Sequence, residues 1–347
     1  MSRSRIMYFD WLRVIATIGV VLLHAAAPIL YQYKSLPEDH WWVGHMFDTL
    51  TRWCVPIFFM MSGALLLNPK KQESLVSFFK KRAFKVLVPF IAWSIFYLLI
   101  QMKTGKLEPQ PGAAAKAVLE DKVYYHLWFL YVIIGLYFIT PILKVYIKNT
   151  SRKNIELFLV LWFVSTAVFS LIAKFLHIKI GMDAFPASGY IGYFIMGYYF
   201  YNYSFSKLTQ KIYYLIGLVG FVLTLSGTVF LTDKNQGVFD GFFYHYLNVS
   251  TVFTSVAVFM LFKHLSSRFK EEGTMIRVLN PINRASMGIY LIHPFIFLLL
   301  AKFLNLNAFT FHPIIGIPLM TGLTIIISLI AVRIMQAIPV VKTFVPN

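Results

Sequence analysis

The 347-residue chain is poor in charged residues and in cysteine. Only 13% of its residues are charged, whereas about a quarter are charged in a typical soluble domain. Together with a hydrophobic fraction of 58%, this excludes an ordinary soluble protein. Because Cys54 is the only cysteine, an intramolecular disulfide and a cysteine-ligated metal cluster are also excluded. The sequence contains no nucleic-acid-binding motif, so the net charge of +18 needs another explanation.

Long apolar stretches fill most of the sequence. Windows of about 20 apolar residues, the length of a helix that crosses a bilayer, predict ten spans. These spans cover approximately residues 8–30, 44–67, 86–102, 123–143, 155–176, 187–203, 212–231, 246–263, 285–303 and 314–336. The longest loop, 101–122, is too short for a soluble domain. The sequence therefore predicts an all-α polytopic membrane protein, with one domain over residues 1–347.

The basic residues predict how the chain is oriented in the membrane. If the N-terminus is cytoplasmic, 21 Lys and Arg residues, including Arg3 and Arg5, fall on the cytoplasmic side and 9 on the other. This asymmetry predicts that both termini are cytoplasmic. A basic cytoplasmic face is attracted to anionic lipid, which accounts for much of the net charge. Asp10 and Arg13 interrupt the first apolar stretch, so we interpret it as a retained helix rather than a cleaved signal peptide.

Arg13 and His24 share one face of the first span. Their spacing of eleven residues returns to within about 20° of the same face, roughly 16 Å further along a helix. Asp10 and Thr17 lie close to the same stripe. Ionisable groups at membrane depth are costly unless they face protein or a wet cavity, which makes these residues functional candidates. Two alternatives remain open: Asp10 and Arg13 could lie at the cytoplasmic interface, and a backbone carbonyl could hold His24 in a packed bundle.

A basic cluster begins the third span. Lys81 and Lys85 are i,i+4 neighbours and Arg82 and Lys85 are i,i+3 neighbours, so the three cations are expected to converge on one anion. Phosphate groups are the natural ligands of such a cluster. The alternative is an anchor that contacts anionic lipid.

Two aromatic segments are further candidates. Trp128, Tyr131 and Tyr124 share a face near the outer end of the fourth span, where they form either an interfacial belt or a surface for sugar rings. Tyr290 and His293 lie one turn apart in the ninth span, and the following proline removes a backbone donor.

Histidine and carboxylate side chains near the outer face do not form a recognisable metal motif. The spacing of His40, His45 and Asp48 matches no compact set of ligands, and the neighbouring tryptophans indicate a membrane interface. We therefore expect no metal site.

Five segments resemble the acyltransferase-3 family of bacterial integral membrane acyltransferases. They are DWLRVIATIGVVLLH at 10–24, VPIFFMMSGALLL at 55–67, HLWFLYVIIGLYFITPIL at 126–143, YFIMGYYF at 193–200 and MGIYLIHPF at 287–295. Their order and spacing agree with the family from about residue 6 to residue 335. The resemblance implies a multi-pass enzyme of the bacterial cytoplasmic membrane. Such an enzyme transfers an acetyl group from cytoplasmic acetyl-CoA to a hydroxyl of an extracytoplasmic or lipid-linked glycan.

The same resemblance implies roles for individual residues. The Arg-x10-His motif of the family falls on Arg13 and His24, and its Arg-x-x-Arg pair, associated with coenzyme A, appears as Arg82 and Lys85. Lysine keeps the charge at position 85 but lacks the bidentate fork of arginine. We expect acetyl-CoA as a co-substrate and no permanently bound cofactor. The chain resembles the stand-alone members that acetylate surface polysaccharides, without the additional span and esterase-like domain of other members.

These observations lead to one mechanistic hypothesis. His24 is expected to act as general base on the acceptor side, while Arg13, paired with Asp10, lines the donor channel. Asp48 and Arg52 are expected to support His24 from the second span. Transfer can be direct or can pass through an acyl-histidine, and both routes remain open, as does a homodimer. The alternative function is a proton-coupled secondary transporter or flippase, because intramembrane Asp, Arg and His also build proton relays.

Overall fold

The computed structural model describes residues 6–70, 73–178, 189–269 and 274–346. These residues form α-helices and short turns, without a strand. The helices are α1 (Met7–Leu30), α2 (Glu38–Thr49), α3 (Cys54–Leu66), α4 (Leu75–Arg82), α5 (Val88–Lys103), α6 (Pro111–Leu119), α7 (Trp128–Asn149), α8 (Arg152–Phe163), α9 (Phe169–Leu176), α10 (Ile191–Asn202), α11 (Lys207–Lys234), α12 (Val249–His264), α13 (Thr274–Leu304) and α14 (Pro313–Ala337). Arg3 and Arg5, which contribute to the predicted orientation, lie outside the described residues.

The predicted all-α polytopic membrane fold is confirmed. Within the described ranges, nine helical stretches are long and apolar enough to cross a membrane. Some of them combine two helices: a π-helical segment, Ala83–Leu87, joins α4 to α5, and another, Val164–Val168, joins α8 to α9. The span predicted over 187–203 differs, because the structure has there the 12-residue helix α10, preceded by residues that are not described.

Helix α10 lies inside the bundle and packs along α3. Ten consecutive residues of α10, from Ile191 to Phe200, are buried. A Cβ added to Gly63 would lie 1.7 Å from the Phe194 carbonyl oxygen, and one added to Gly197 would lie 1.8 Å from the Met60 carbonyl oxygen. The two backbones therefore touch through glycine. The uniform hydrophobicity of α10 reflects contact with protein on all sides.

Helix α1 is surrounded by other helices. It packs against α2, α3, α13 and α14, and most of its residues are buried. The polar stripe predicted for the first span therefore faces other helices.

The last described residues fold back against the bundle. A short 3₁₀ turn, Val341–Phe344, is followed by Val345, which is completely buried. The indole Nε1 of Trp93 donates a hydrogen bond to the Phe344 carbonyl at 3.0 Å, and Gln336 Nε2 donates to the Val345 carbonyl at 3.0 Å. These bonds hold Pro346 at the wall of a cavity described below.

Candidate active site

His24 and His293 form a pair between α1 and α13. Nδ1 of His24 lies 3.0 Å from Nε2 of His293, and the two rings stack with their centroids 5.0 Å apart. His293 is completely buried. The pair joins two of the residues that the sequence analysis selected separately.

Pro294 explains why His293 can turn toward α1. In a regular helix the amide of residue 294 would donate to the Tyr290 carbonyl, but proline has no N–H. That carbonyl is instead 2.7 Å from Nδ1 of His293. The imidazole thereby replaces the missing backbone donor, and its other nitrogen faces His24.

Tyrosine and histidine rings surround the pair. The Tyr125 ring meets the His24 ring edge-on at a centroid distance of 5.0 Å, and the His126 ring meets the His293 ring at 5.4 Å. The hydroxyl of Tyr290 donates to the backbone carbonyl of His126. Aromatic rings therefore enclose the pair on the side of Tyr125 and His126.

A cavity of about 400 Å³ lies beside the N-terminal half of α1. Arg13 and Lys85 line it from α1 and from the π-helical segment, and Pro346 contributes to its wall. Arg13 donates from Nη1 to Asn283 Oδ1 at 2.9 Å and forms an ion pair with Asp10 at 3.6 Å. We call this space the inner cavity; it has an electropositive wall suited to an anion.

A second cavity, of about 570 Å³, lies beside the C-terminal half of α1. Its wall includes His24 and Arg52 together with aromatic rings from three segments of the chain, Tyr125, Trp128 and Tyr246. Trp128 and Tyr246 stack at a centroid distance of 5.3 Å. We call this space the outer cavity; its aromatic faces are suited to sugar rings.

The histidine pair lies where the two cavities approach each other. On α1 the inner cavity reaches Val20 and the outer cavity begins at Leu23 and His24. On α13 Tyr290 lines the inner cavity and Pro294 the outer one, with His293 between them in sequence. One helical turn thus separates the cavities at the level of His24.

The three predicted phosphate-binding cations do not line a single cavity. Lys85 lines the inner cavity, whereas Arg82 lines an adjacent groove with Phe79 and Tyr137. Lys81 is exposed and pairs with Glu73 at 2.6 Å. Arg82 stacks on the Phe78 ring at 4.6 Å. The π-helical segment accounts for the divergence, because it turns by less than the roughly 100° per residue of an α-helix.

Asp48 and Arg52 form a buried ion pair at the outer cavity. Arg52 donates from Nε to Oδ1 of Asp48, and its guanidinium stacks on the Tyr244 ring at 4.2 Å. Asp48 is completely buried, whereas Arg52 reaches the cavity wall that contains His24. The ion pair holds the Arg52 guanidinium at the wall of the outer cavity.

Tyr131 does not line the outer cavity that Trp128 lines. Its hydroxyl donates to the Val118 carbonyl at 2.7 Å, and its ring packs edge-on against Phe90. Tyr131 therefore links α7 to α5 and α6.

His45 and His312 each make contacts of hydrogen-bond length through both ring nitrogens. His45 bonds the Tyr244 hydroxyl through Nδ1 and lies 2.8 Å from the Leu225 carbonyl through Nε2. Among the described residues, Asp39, His40 and His312 form a group with metal-like spacing. However, Nδ1 of His312 accepts from the Ile314 amide, which leaves Nε2 to donate to Asp39 at 3.0 Å. Hydrogen bonds with the Ile314 amide and with Asp39 therefore use both ring nitrogens of His312.

Several residues of the site were missed by sequence reasoning. Asn283, Tyr125, Tyr246 and His126 are ordinary polar or aromatic residues in apolar surroundings. Nothing in their spacing indicates that they meet Arg13 or His24. Tyr125 and His126 could have been inferred from their position beside Trp128.

Comparison with known proteins gives one match. The model of the acyltransferase-3 family, described as an acyltransferase domain, matches residues 6–333 of the chain. No curated protein and no solved structure matches it. With a match over most of its length and a polytopic helical fold, the chain belongs to the acyltransferase-3 family and is a membrane acyltransferase.

Proposed function

We propose that the protein transfers an acetyl group from cytoplasmic acetyl-CoA to a hydroxyl of an extracytoplasmic or lipid-linked glycan. The observation that supports this most strongly is the arrangement of two chemically different cavities on either side of His24. A membrane acyltransferase with substrates on opposite sides needs such an arrangement, because donor and acceptor must meet without mixing the two compartments.

The inner cavity suits the donor. Arg13 and Lys85 offer charge to the phosphates or to the polarised thioester, and Asn283 holds the Arg13 guanidinium in place. In this scheme the pantetheine arm lies along α1 and brings the thioester to the level of Val20. The nucleotide stays near the mouth, where Arg82 adds a positive charge at the neighbouring groove.

The outer cavity suits a glycan acceptor. Trp128, Tyr125 and Tyr246 supply flat apolar faces with polar edges, and Arg52 supplies a donor at the wall. A sugar ring in this cavity would present a hydroxyl to His24. The basic-residue asymmetry supports a cytoplasmic inner cavity and an extracytoplasmic outer cavity.

The chemistry follows from the acidity of the two partners. A sugar hydroxyl is a weak acid and needs a base in order to attack at neutral pH, whereas coenzyme A is a good leaving group. His24 takes the hydroxyl proton while the oxygen bonds to the acyl carbon. When the carbon–sulfur bond breaks, the thiolate receives that proton from His24. The products are an O-acetyl ester and coenzyme A.

The function is tested with purified protein in liposomes. Radiolabelled acetyl-CoA is the donor, and envelope membranes from cells that lack the protein supply the acceptor. We expect label in the glycan fraction and an equal amount of released coenzyme A. His24→Gln should lower kcat at least 100-fold, because a general base contributes about that much or more.

A second histidine, far from the site, provides the control variant. His264 is exposed on α12 and bonds Gln210 at 2.8 Å, so His264→Gln should retain wild-type activity. Full activity in His24→Gln would overturn the assignment of the base. Proton-coupled uptake of a solute without release of coenzyme A would favour the transporter alternative over the proposed reaction.

A further inference from the structure

We infer that His293 is a positioning residue that selects the tautomer of His24, so that Nε2 of His24 carries the lone pair that accepts the acceptor proton. This inference rests on the proposed role of His24 as general base. His293 and Pro294 act through one chain of hydrogen bonds, which runs from the Tyr290 carbonyl through His293 to His24.

The chain of hydrogen bonds starts at a group that can only accept. The Tyr290 carbonyl has no hydrogen, so Nδ1 of His293, 2.7 Å away, must be the donor. His293 is completely buried. Its hydrogen-bond partners are this carbonyl and the His24 ring, and neither of them is a carboxylate. A buried charge without a counterion is costly, so His293 is neutral and its Nε2 is an acceptor.

The tautomer of His293 determines that of His24. Nδ1 of His24 lies 3.0 Å from Nε2 of His293, and since that atom accepts, Nδ1 of His24 carries the hydrogen. A neutral imidazole has one N–H, and Nε2 of His24 is therefore unprotonated. This is the nitrogen that can act as a base in the outer cavity, whose wall includes His24.

Pro294 is the reason why both histidines adopt a single tautomer. If residue 294 had an N–H, the Tyr290 carbonyl would have a backbone donor and His293 would be free to adopt either tautomer. Pro294 leaves the carbonyl open, the carbonyl orients His293, and His293 orients His24. During transfer Nδ1 keeps its hydrogen, so the bond to His293 also stabilises the imidazolium that forms when Nε2 takes the hydroxyl proton.

Two substitutions at position 293 separate this role from packing. His293→Gln can place a carboxamide oxygen near the position of Nε2 and accept from His24. His293→Asn can reach only the Tyr290 carbonyl. We expect kcat of the Gln variant within about tenfold of wild type and kcat of the Asn variant lower by a further 10- to 100-fold, with unchanged KM for acetyl-CoA. Equal kcat values for two folded variants of equal Tm would overturn the inference.

A spectroscopic measurement tests the tautomer without using activity. In protein labelled with ¹⁵N-histidine and studied at pH 8, the His24 signals are identified by their loss in His24→Gln. We expect a protonated Nδ1 and an unprotonated Nε2, and loss of this preference in His293→Phe. A protonated Nε2 in the wild-type protein would contradict the inference. If the tautomer is as expected but no acetyl transfer is detected, the proposed function fails while the assignment of the hydrogen bonds stands.

Discussion

At the scale of single residues, Arg13 and His24 have separate surroundings although they share a helix face. Arg13 is held by Asp10 and Asn283 at the inner cavity, and His24 is held by His293 at the outer one. Asp10, Arg13 and His24 therefore each have a partner on the same or a neighbouring helix, as expected for ionisable groups at membrane depth.

Lys85 gives a prediction at this scale. Because it lines the inner cavity with Arg13, Lys85→Ala should raise the KM for acetyl-CoA about tenfold, the effect of losing one charge-assisted contact of about 1.4 kcal/mol. Lys85→Arg should keep or lower this KM, since the guanidinium binds phosphate with two donors. Steady-state kinetics with varied acetyl-CoA measures both.

Lys81 is the matched control for Lys85. It lies four residues away, is exposed and pairs with Glu73. Lys81→Ala should leave the KM for acetyl-CoA within about twofold of wild type, because exposed ion pairs contribute little. An equal rise of KM in both variants would indicate a general effect of surface charge and would remove Lys85 from the donor site.

At the scale of secondary-structure elements, the contact between α3 and α10 depends on glycine. Gly197→Ala would place a methyl group 1.8 Å from the Met60 carbonyl oxygen, so the two helices would have to separate. We expect a loss of stability of about 3 kcal/mol, at the upper end for overpacked interiors, seen as a lower Tm in detergent.

Gly135 on α7 provides the comparison. A Cβ at this position meets nothing within 4 Å, so Gly135→Ala should leave the Tm unchanged or raise it slightly through helix propensity. Similar Tm values for the two alanine variants would show that α3 and α10 are less closely packed than the structure indicates.

The elements also show what the sequence can and cannot predict. Windows of apolar residues locate the long helices, because a bilayer selects for length and hydrophobicity. The same windows overextend α10, since a short helix surrounded by protein is as apolar as a span. The helical period places Arg13 and His24 on one face of α1, which is a regular α-helix. The same period misplaces Arg82 relative to Lys85, because a π-helical segment begins between them. The contact between His24 and His293 joins residues 269 positions apart, and no local pattern encodes it.

At the scale of the whole molecule, the orientation of the chain decides which cavity faces the cytoplasm, where the proposed donor, acetyl-CoA, is found. Cys54 is completely buried, so the unmodified chain should react little with a membrane-impermeant maleimide. Lys106 and Lys153 are exposed at opposite ends of the bundle and can each be replaced by cysteine. In intact spheroplasts we expect labelling of Lys106→Cys, and labelling of Lys153→Cys only after the membrane is broken. The reverse pattern would exchange the donor and acceptor assignments of the two cavities.

The folded-back C-terminal segment has a practical consequence for handling the protein. Pro346 forms part of the inner cavity wall, and Val345 is anchored by Gln336. A purification tag or fluorescent protein fused directly to this segment would therefore lie beside the inner cavity. Such a fusion would compete with the donor for space or pull the segment from its seat, so reporters are better placed ahead of α1.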